Sequence, residues 1–118
     1  MDIKEKLGLA VKALDSKKAV DIKVIDVTEI SNLTDYFVVA SGTSSTHVKS
    51  LADEAEYQLT NAGAELDHIE GRSTSWILLD FKDIVIHVLG SESRSFYDLE
   101  RLWVDGKDVD ISEFIDKE

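Results

Sequence analysis

The stretch W-I-L-L-D-F-K-D-I-V-I-H-V-L-G-S-E-S-R-S-F-Y-D-L-E-R-L-W, from Trp76 to Trp103, decides the fold. It divides into two apolar runs around Lys82-Asp83, followed by a segment with helical spacing, so it predicts a β-hairpin that feeds a helix. A turn centred on Lys82-Asp83 sets Ile77 opposite Val88, Leu79 opposite Ile86 and Phe81 opposite Ile84 on one face of the hairpin. The other face then carries Trp76 with Leu89, Leu78 with His87 and Asp80 with Val85. The first set is wholly apolar and belongs in a core. The second mixes a tryptophan and aliphatics with one carboxylate and one imidazole, which is the make-up of a surface kept for a partner rather than of a dry interior.

Upstream, Ile3, Leu7, Val11 and Leu14 share one helical face, and Asp2 with Glu5 forms a capping-box-like start, predicting a helix over about 3–17. Val20 to Val27 reads as a strand. After the turn-rich Ser31-Asn32-Leu33-Thr34, the continuously apolar Tyr36 to Ala40 predicts a short strand in the middle of a sheet, ended by Ser41-Gly42. The next helix has N-cap candidates at Thr43, Ser44 and Ser45, an apolar repeat at Val48, Leu51, Ala52, Ala55, Leu59 and Ala62, and a C-capping Gly63. A third strand is expected over Ala64 to Ile69, before the turn at Gly71-Arg72-Ser73. The last helix, about 92–103, is expected to bury Phe96, Leu99, Leu102 and Trp103 and to carry Tyr97, Glu100 and Arg101 on a separate stripe. From about 105 the chain is an acidic tail with Ile111, Phe114 and Ile115 as its anchors.

The 118 residues suit one domain, 1–118, with a core that needs no staples. Cysteine is absent, which excludes disulfides and thiolate chemistry. No apolar run approaches the roughly 20 residues of a membrane span, and Met1-Asp2-Ile3-Lys4-Glu5 matches neither a signal nor a transit pattern, so a cytoplasmic location is expected. Thirteen basic against twenty-four acidic side chains give a net charge of −11. That argues against direct nucleic-acid binding, because each phosphate contact needs a cation. It suits either encounter with a basic partner or simple solubility.

Chemistry has few candidates. Gly42 to Ser45, between a strand and a helix, could cradle an anion, yet it lacks the P-loop lysine and a full G-x-G-x-x-G. His47, His68 and His87 lack paired metal-ligand spacing, so no metal or cofactor is expected. His47 reads as a hydrogen-bonding structural residue, and His87 as one that orients a neighbouring carboxylate. No serine or threonine has a triad context, and no catalytic residue is assigned.

The hairpin-helix stretch, together with T-D-Y-F-V-V-A-S-G-T-S-S-T-H-V (Thr34 to Val48), resembles the ribosomal silencing factors, the Iojap-like or RsfS family. The resemblance covers about Asp21 to Trp103. It implies an α/β fold with a mixed sheet of about five strands and flanking helices, similar to nucleotidyltransferases. In those enzymes a Gly-Ser turn serves the nucleotide and paired aspartates on the neighbouring strand hold the metal. Here no D-x-D follows at a suitable distance, and Asp108-Val109-Asp110 lies in the tail. The resemblance therefore implies a non-enzyme that binds ribosomal protein L14 of the large subunit and blocks subunit joining under nutrient limitation. It implies contact roles for Trp76, Leu78, Asp80, Tyr97, Glu100 and Arg101, and a homodimer when free. The competing expectation is a nucleotide-binding or nucleotidyl-transferring enzyme that uses Gly42 to Ser45.

Overall fold

A computed structural model describes residues 2–71, 75–91 and 106–115. Its centre is β2 (Tyr36–Gly42), paired in parallel with β5 (Ile84–Gly90) through an unbroken register from Tyr36 opposite Ile84 to Gly42 opposite Gly90. The remaining strands are β1 (Val20–Asp26), β3 (His68–Glu70), β4 (Trp76–Asp80) and β6 (Lys107–Val109), each joined antiparallel to its neighbours in the order β3-β4-β5-β2-β1-β6. This is the expected mixed α/β sheet with one strand more than expected. The extra strand is β6, which comes from the segment read as an acidic tail. It is short and charged, and its order comes from pairing Val109 with Val24 and Lys107 with Asp26.

Helices α1 (Ile3–Ser16) and α2 (Ser45–Asn61) cover one face of this sheet. The first begins where Asp2 accepts the Glu5 N–H at 3.0 Å, as the capping pattern requires. It buries Leu7, Ala10, Val11, Ala13 and Leu14 and stops at Lys17. Lys18 takes a left-handed φ of 61° so that the Ala19 N–H reaches the Leu14 carbonyl. The second helix is capped by Ser44, which accepts the His47 N–H, and it buries Val48, Leu51, Ala52, Ala55 and Leu59. Ala62 faces solvent instead, as the helix's C-cap. Gly63 then adopts φ 106°, and the Ala64 N–H returns to the Leu59 carbonyl. Backbone spent on ending the helix cannot join the sheet, so β3 starts at His68 rather than at Ala64.

The alternation of β4 and β5 sorts residues as the hairpin pattern demands. Ile77, Leu79, Phe81, Ile84, Ile86 and Val88 are buried against the two helices with Val24, Val38 and Ala40. The turn is the two-residue one expected, with the Phe81 N–H donating to the Ile84 carbonyl and Lys82 at φ 75°. Two carboxylates hold it. Asp80 accepts the Lys82 N–H at 2.7 Å, and Asp83 pairs with Lys6 of α1 at 2.7 Å, where the lysine is largely buried. At the other end of β2, strand and helix approach so closely that a Cβ on Gly42 would lie 2.9 Å from the Val48 backbone nitrogen. The proposed final helix, with Phe96, Leu99, Leu102 and Trp103, lies outside the described residues.

Residues 106–115 are tied to the fold at both ends. Gly106 fits where any Cβ would meet Ile25 at 2.5 Å, and Phe114, after a 3-10 turn at Ile111–Glu113, is buried against α1 beside Gly8. Ile111 and Ile115 pack partly on the same core. Phe114→Ala should therefore lower unfolding stability by about 3 kcal/mol, as removal of a buried phenylalanine ring does. Equilibrium urea denaturation measures it, and a change of a few tenths would mean that this turn does not anchor the C-terminal segment.

Candidate functional site

Along β4, Trp76, Leu78 and Asp80 alternate with the buried Ile77 and Leu79, so the three expected contact residues stand in one row on the face away from the helices. All three are half-buried. Their β5 partners depart from the expected open surface: Val85, His87 and Leu89 are buried, and Leu89 joins Ile25, Val27 and Val39 in a second apolar cluster, with Phe37 and Trp76 packed against it. The mixed face is therefore a row on β4 beside a dry interior. Tyr97, Glu100 and Arg101 lie outside the described residues.

The imidazole of His87 does not orient a carboxylate, as the sequence suggested. Its Nδ1 accepts the Trp76 indole N–H at 3.2 Å, and Phe37 meets the ring edge-on with centroids 5.2 Å apart and planes at 83°. With Nδ1 accepting, the neutral ring carries its proton on Nε2, and that nitrogen is buried with no hydrogen-bond partner. An orphaned buried donor costs about 1–3 kcal/mol. Burial pushes the His87 pKa down to about 4, so the ring is neutral at ordinary pH.

Asp80 is partly exposed and already engaged. One carboxylate oxygen caps the turn, and the other lies 3.7 Å from His68 Nδ1 across the β3–β4 ladder, where His68 is opposite Asp80. His68 also contacts Asp67 at 2.8 Å through Nδ1 and Glu70 at 3.0 Å through Nε2. The hydrogen bond to Asp67, followed by that to Glu70, raises the His68 pKa above the usual imidazole value. Ligand atoms of Asp67, His68 and Asp80 lie within 4.8 Å of one another, a spacing that could hold a cation, although Asp67 and His68 are exposed at the outer strand and Asp80 is only half-buried on β4. This acidic cluster flanks the Asp80 end of the β4 row, and histidine spacing alone does not reveal it, because it holds a single histidine. The local signal is only the alternation His68-Ile69-Glu70, with Ile69 turned to the core; Asp80 joins through the β3–β4 register.

At the opposite end of the central strands, Gly42, Thr43, Ser44, Ser45, Ser75, Gly90 and Ser91 line a cleft of about 410 Å³. Its described lining offers hydroxyls and backbone, with no charged side chain among the described residues. His47 stands beside it in the structural role expected: Nδ1 accepts the Thr43 N–H at 2.9 Å, and Nε2 donates to the Lys17 carbonyl at 2.7 Å, joining the start of α2 to the end of α1. Asp108 and Asp110, the D-x-D pair, flank the end of β6, and Asp110 caps the 3-10 turn through the Ser112 N–H. Among the described residues no helix is long and apolar enough to cross a membrane.

Fold and site thus define an α/β protein with two described helices on one side of a mixed sheet and an aromatic-carboxylate row on the other. The chain belongs to the family described as "Ribosomal silencing factor during starvation", which it matches over residues 1–118. It is 35% identical over 112 residues to the ribosomal silencing factor RsfS of Halalkalibacterium halodurans, covering 94% of this chain and 96% of that protein. A crystal structure from Chromobacterium violaceum superposes with a TM-score of 0.84 at 38% identity, covering 87% of each chain. The mouse protein named "Mitochondrial assembly of ribosomal large subunit protein 1" is 35% identical over 101 residues, covering 82% of this chain and 44% of its own length.

The two histidines shift in opposite directions, and so do their effects on stability. His87, depressed in the folded state, contributes stability that is complete above the unfolded value near 6.5 and is lost as pH falls toward 4. His68, raised, contributes stability that is present below about 6.5 and is lost as pH rises through its folded pKa. NMR titration should find His68 protonating above 6.5 and His87 staying neutral to about pH 4. Between pH 7 and 4, wild type should lose about 3 kcal/mol relative to His87→Leu, the equivalent of the His87 shift. A constant difference across that range would show that His87 titrates normally.

Proposed function

We propose that this protein silences ribosomes by docking on ribosomal protein L14 of the large subunit, at the face that meets the small subunit, so that its bulk keeps the subunits apart. Translation then slows when nutrients are scarce. The observation that carries the proposal is the family match along 1–118 together with the row of Trp76, Leu78 and Asp80 on β4. The mouse relative's name supports the choice of the large subunit. Trp76 and Leu78 act as apolar anchors, Asp80 and Glu100 accept hydrogen bonds from basic groups, and Tyr97 and Arg101 make polar contacts at the rim. The β3 edge adds the carboxylates of Asp67 and Glu70 beside the same row, which suits a basic partner.

Occlusion requires no reaction, cofactor or metal. On this proposal the protein acts in the cytoplasm as one domain spanning 1–118, is a homodimer when free, and makes no direct nucleic-acid contact. The kinship with nucleotidyltransferases is one of fold, without their catalytic groups. A second function is favoured by one feature only, the hydroxyl-lined cleft at Gly42 to Ser45, which would suit a nucleotide phosphate. Calorimetric titration with nucleoside triphosphates and magnesium decides between them: heat of binding there would favour the nucleotide function, and its absence is expected.

Trp76→Ala should weaken co-sedimentation with purified large subunits by about 2 kcal/mol or more while the variant stays folded. Binding equal to wild type would remove the β4 row from the interface. Charge reversal at Asp80 and Glu100 to lysine should weaken association with isolated L14 more than neutralisation does, since it adds repulsion to lost attraction. Added salt should slow the wild-type association rate in stopped flow more than it speeds dissociation. A salt-independent rate would leave recognition to the apolar anchors alone.

A further inference from the structure

Strand β5 is buried along nearly its whole length, and His87 is its one polar side chain. Position 87 is flanked by Leu78 on β4 and Val39 on β2, so an apolar residue would fit the pattern of both ladders. The imidazole brings a buried Nε2–H without an acceptor. For folding alone it is the poorer choice, and what it supplies is an acceptor, placed 3.2 Å from the Trp76 indole nitrogen.

We infer that His87 is a positioning residue for the docking row: its Nδ1 holds the Trp76 indole in one orientation for a protein partner, in exchange for stability that an apolar side chain would keep. This rests on the proposed docking role of Trp76. Phe37, edge-on to the imidazole at 83°, holds the plane of the ring and so the direction of its lone pair. Phe37, His87 and Trp76 come from β2, β5 and β4, three adjacent strands, so the orientation of the anchor is set by the sheet itself. Packing against Ile25, Val27, Val39 and Leu89 places the body of the Trp76 ring, and the acceptor adds the direction of its N–H, so a partner has less of the side chain to order on binding. With the acceptor, that ordering is complete before the encounter.

The test separates stability from binding through two variants. His87→Leu removes the acceptor and the orphaned donor together, whereas His87→Asn places its Oδ1 where the imidazole has Nδ1 and leaves its amide N–H groups in the apolar interior. In urea denaturation the expected order of midpoints is Leu at or above wild type, and Asn below it. In co-sedimentation with purified large subunits the expected order is the reverse: wild type and Asn within about twofold of each other, and Leu weaker by about fivefold, the effect of ordering one side chain on binding. A purely structural histidine cannot produce opposite orders.

A second readout needs no partner. The Trp76 indole N–H resonance, assigned through Trp76→Phe, should move toward the free-indole position in His87→Leu and exchange with solvent about tenfold faster or more. An unchanged resonance, or affinities that follow the stability order, would overturn the inference. If the resonance responds as expected while Trp76→Ala binds large subunits as well as wild type, the failure lies in the docking role of the row, and the purpose assigned to His87 falls with it.

Discussion

The parallel pairing of β2 with β5 is the constraint on which the other elements depend, because it is the only parallel contact among the described strands and it lies at the centre of the sheet. Parallel neighbours cannot be joined by a tight turn, so the chain must leave the end of β2 and return to the start of β5. Helix α2 makes most of that journey, and β3 and β4 complete it. Once β5 is placed, its alternation determines what β4 may show: Ile77 and Leu79 turn to the helices, and Trp76, Leu78 and Asp80 turn away. A one-residue slip in either ladder would exchange the two sets and bury a carboxylate under α1 and α2.

The helix-covered face is a broad apolar core that includes Phe81, Leu14, Leu51 and Leu59, all fully buried. The opposite face is narrower. Its cluster of Ile25, Val27, Val39 and Leu89 has two buried polar neighbours, Ser41 beside Leu89 and His87 beside Val39, and the charged residues stand on β4 and β3. The proposed docking row thus stands at one end of the strand order, where the outer strand has only three residues and Glu70 lies opposite Leu78. The hairpin turn lies at the same end, fixed to α1 by the Lys6–Asp83 pair, so the row stands on a braced element rather than on a free edge.

The hairpin was legible from sequence alone, since a turn at Lys82-Asp83 and a period of two determine every cross-strand pair, and all five observed pairs agree. Both described helices were legible, the first to within a residue, because Asp2 and one of the three capping candidates, Ser44 among Thr43, Ser44 and Ser45, stand before periodic apolar runs. The sixth strand was not. Lys107-Asp108-Val109 has one apolar residue and no local signal, and it is a strand only because β1 offers it an unpaired edge. Nor was the burial of His87 legible: which end of the mixed face is covered depends on the order of strands, and composition carries no such information. The His68 cluster was hidden for the same reason, as Asp67 and Asp80 become neighbours only through the β3–β4 register.

The strand order also has a consequence for how the protein is made. Val24 of β1 has one partner in the next strand, Val38 of β2, and the other far along the chain, Val109 of β6, and the apolar side of α1 packs into a cluster that includes Ile84, Ile86 and Val88. During synthesis, α1 and β1 emerge first and wait with their apolar sides uncovered until the hairpin follows. Contacts that span most of the chain make such a sheet slow to assemble. The early segments meet this delay with charge, since Lys4, Glu5, Lys12, Asp15, Lys17, Lys18, Asp21 and Lys23 are interspersed among the apolar positions and discourage premature association between nascent chains. The N-terminal strand is therefore among the last to be completed.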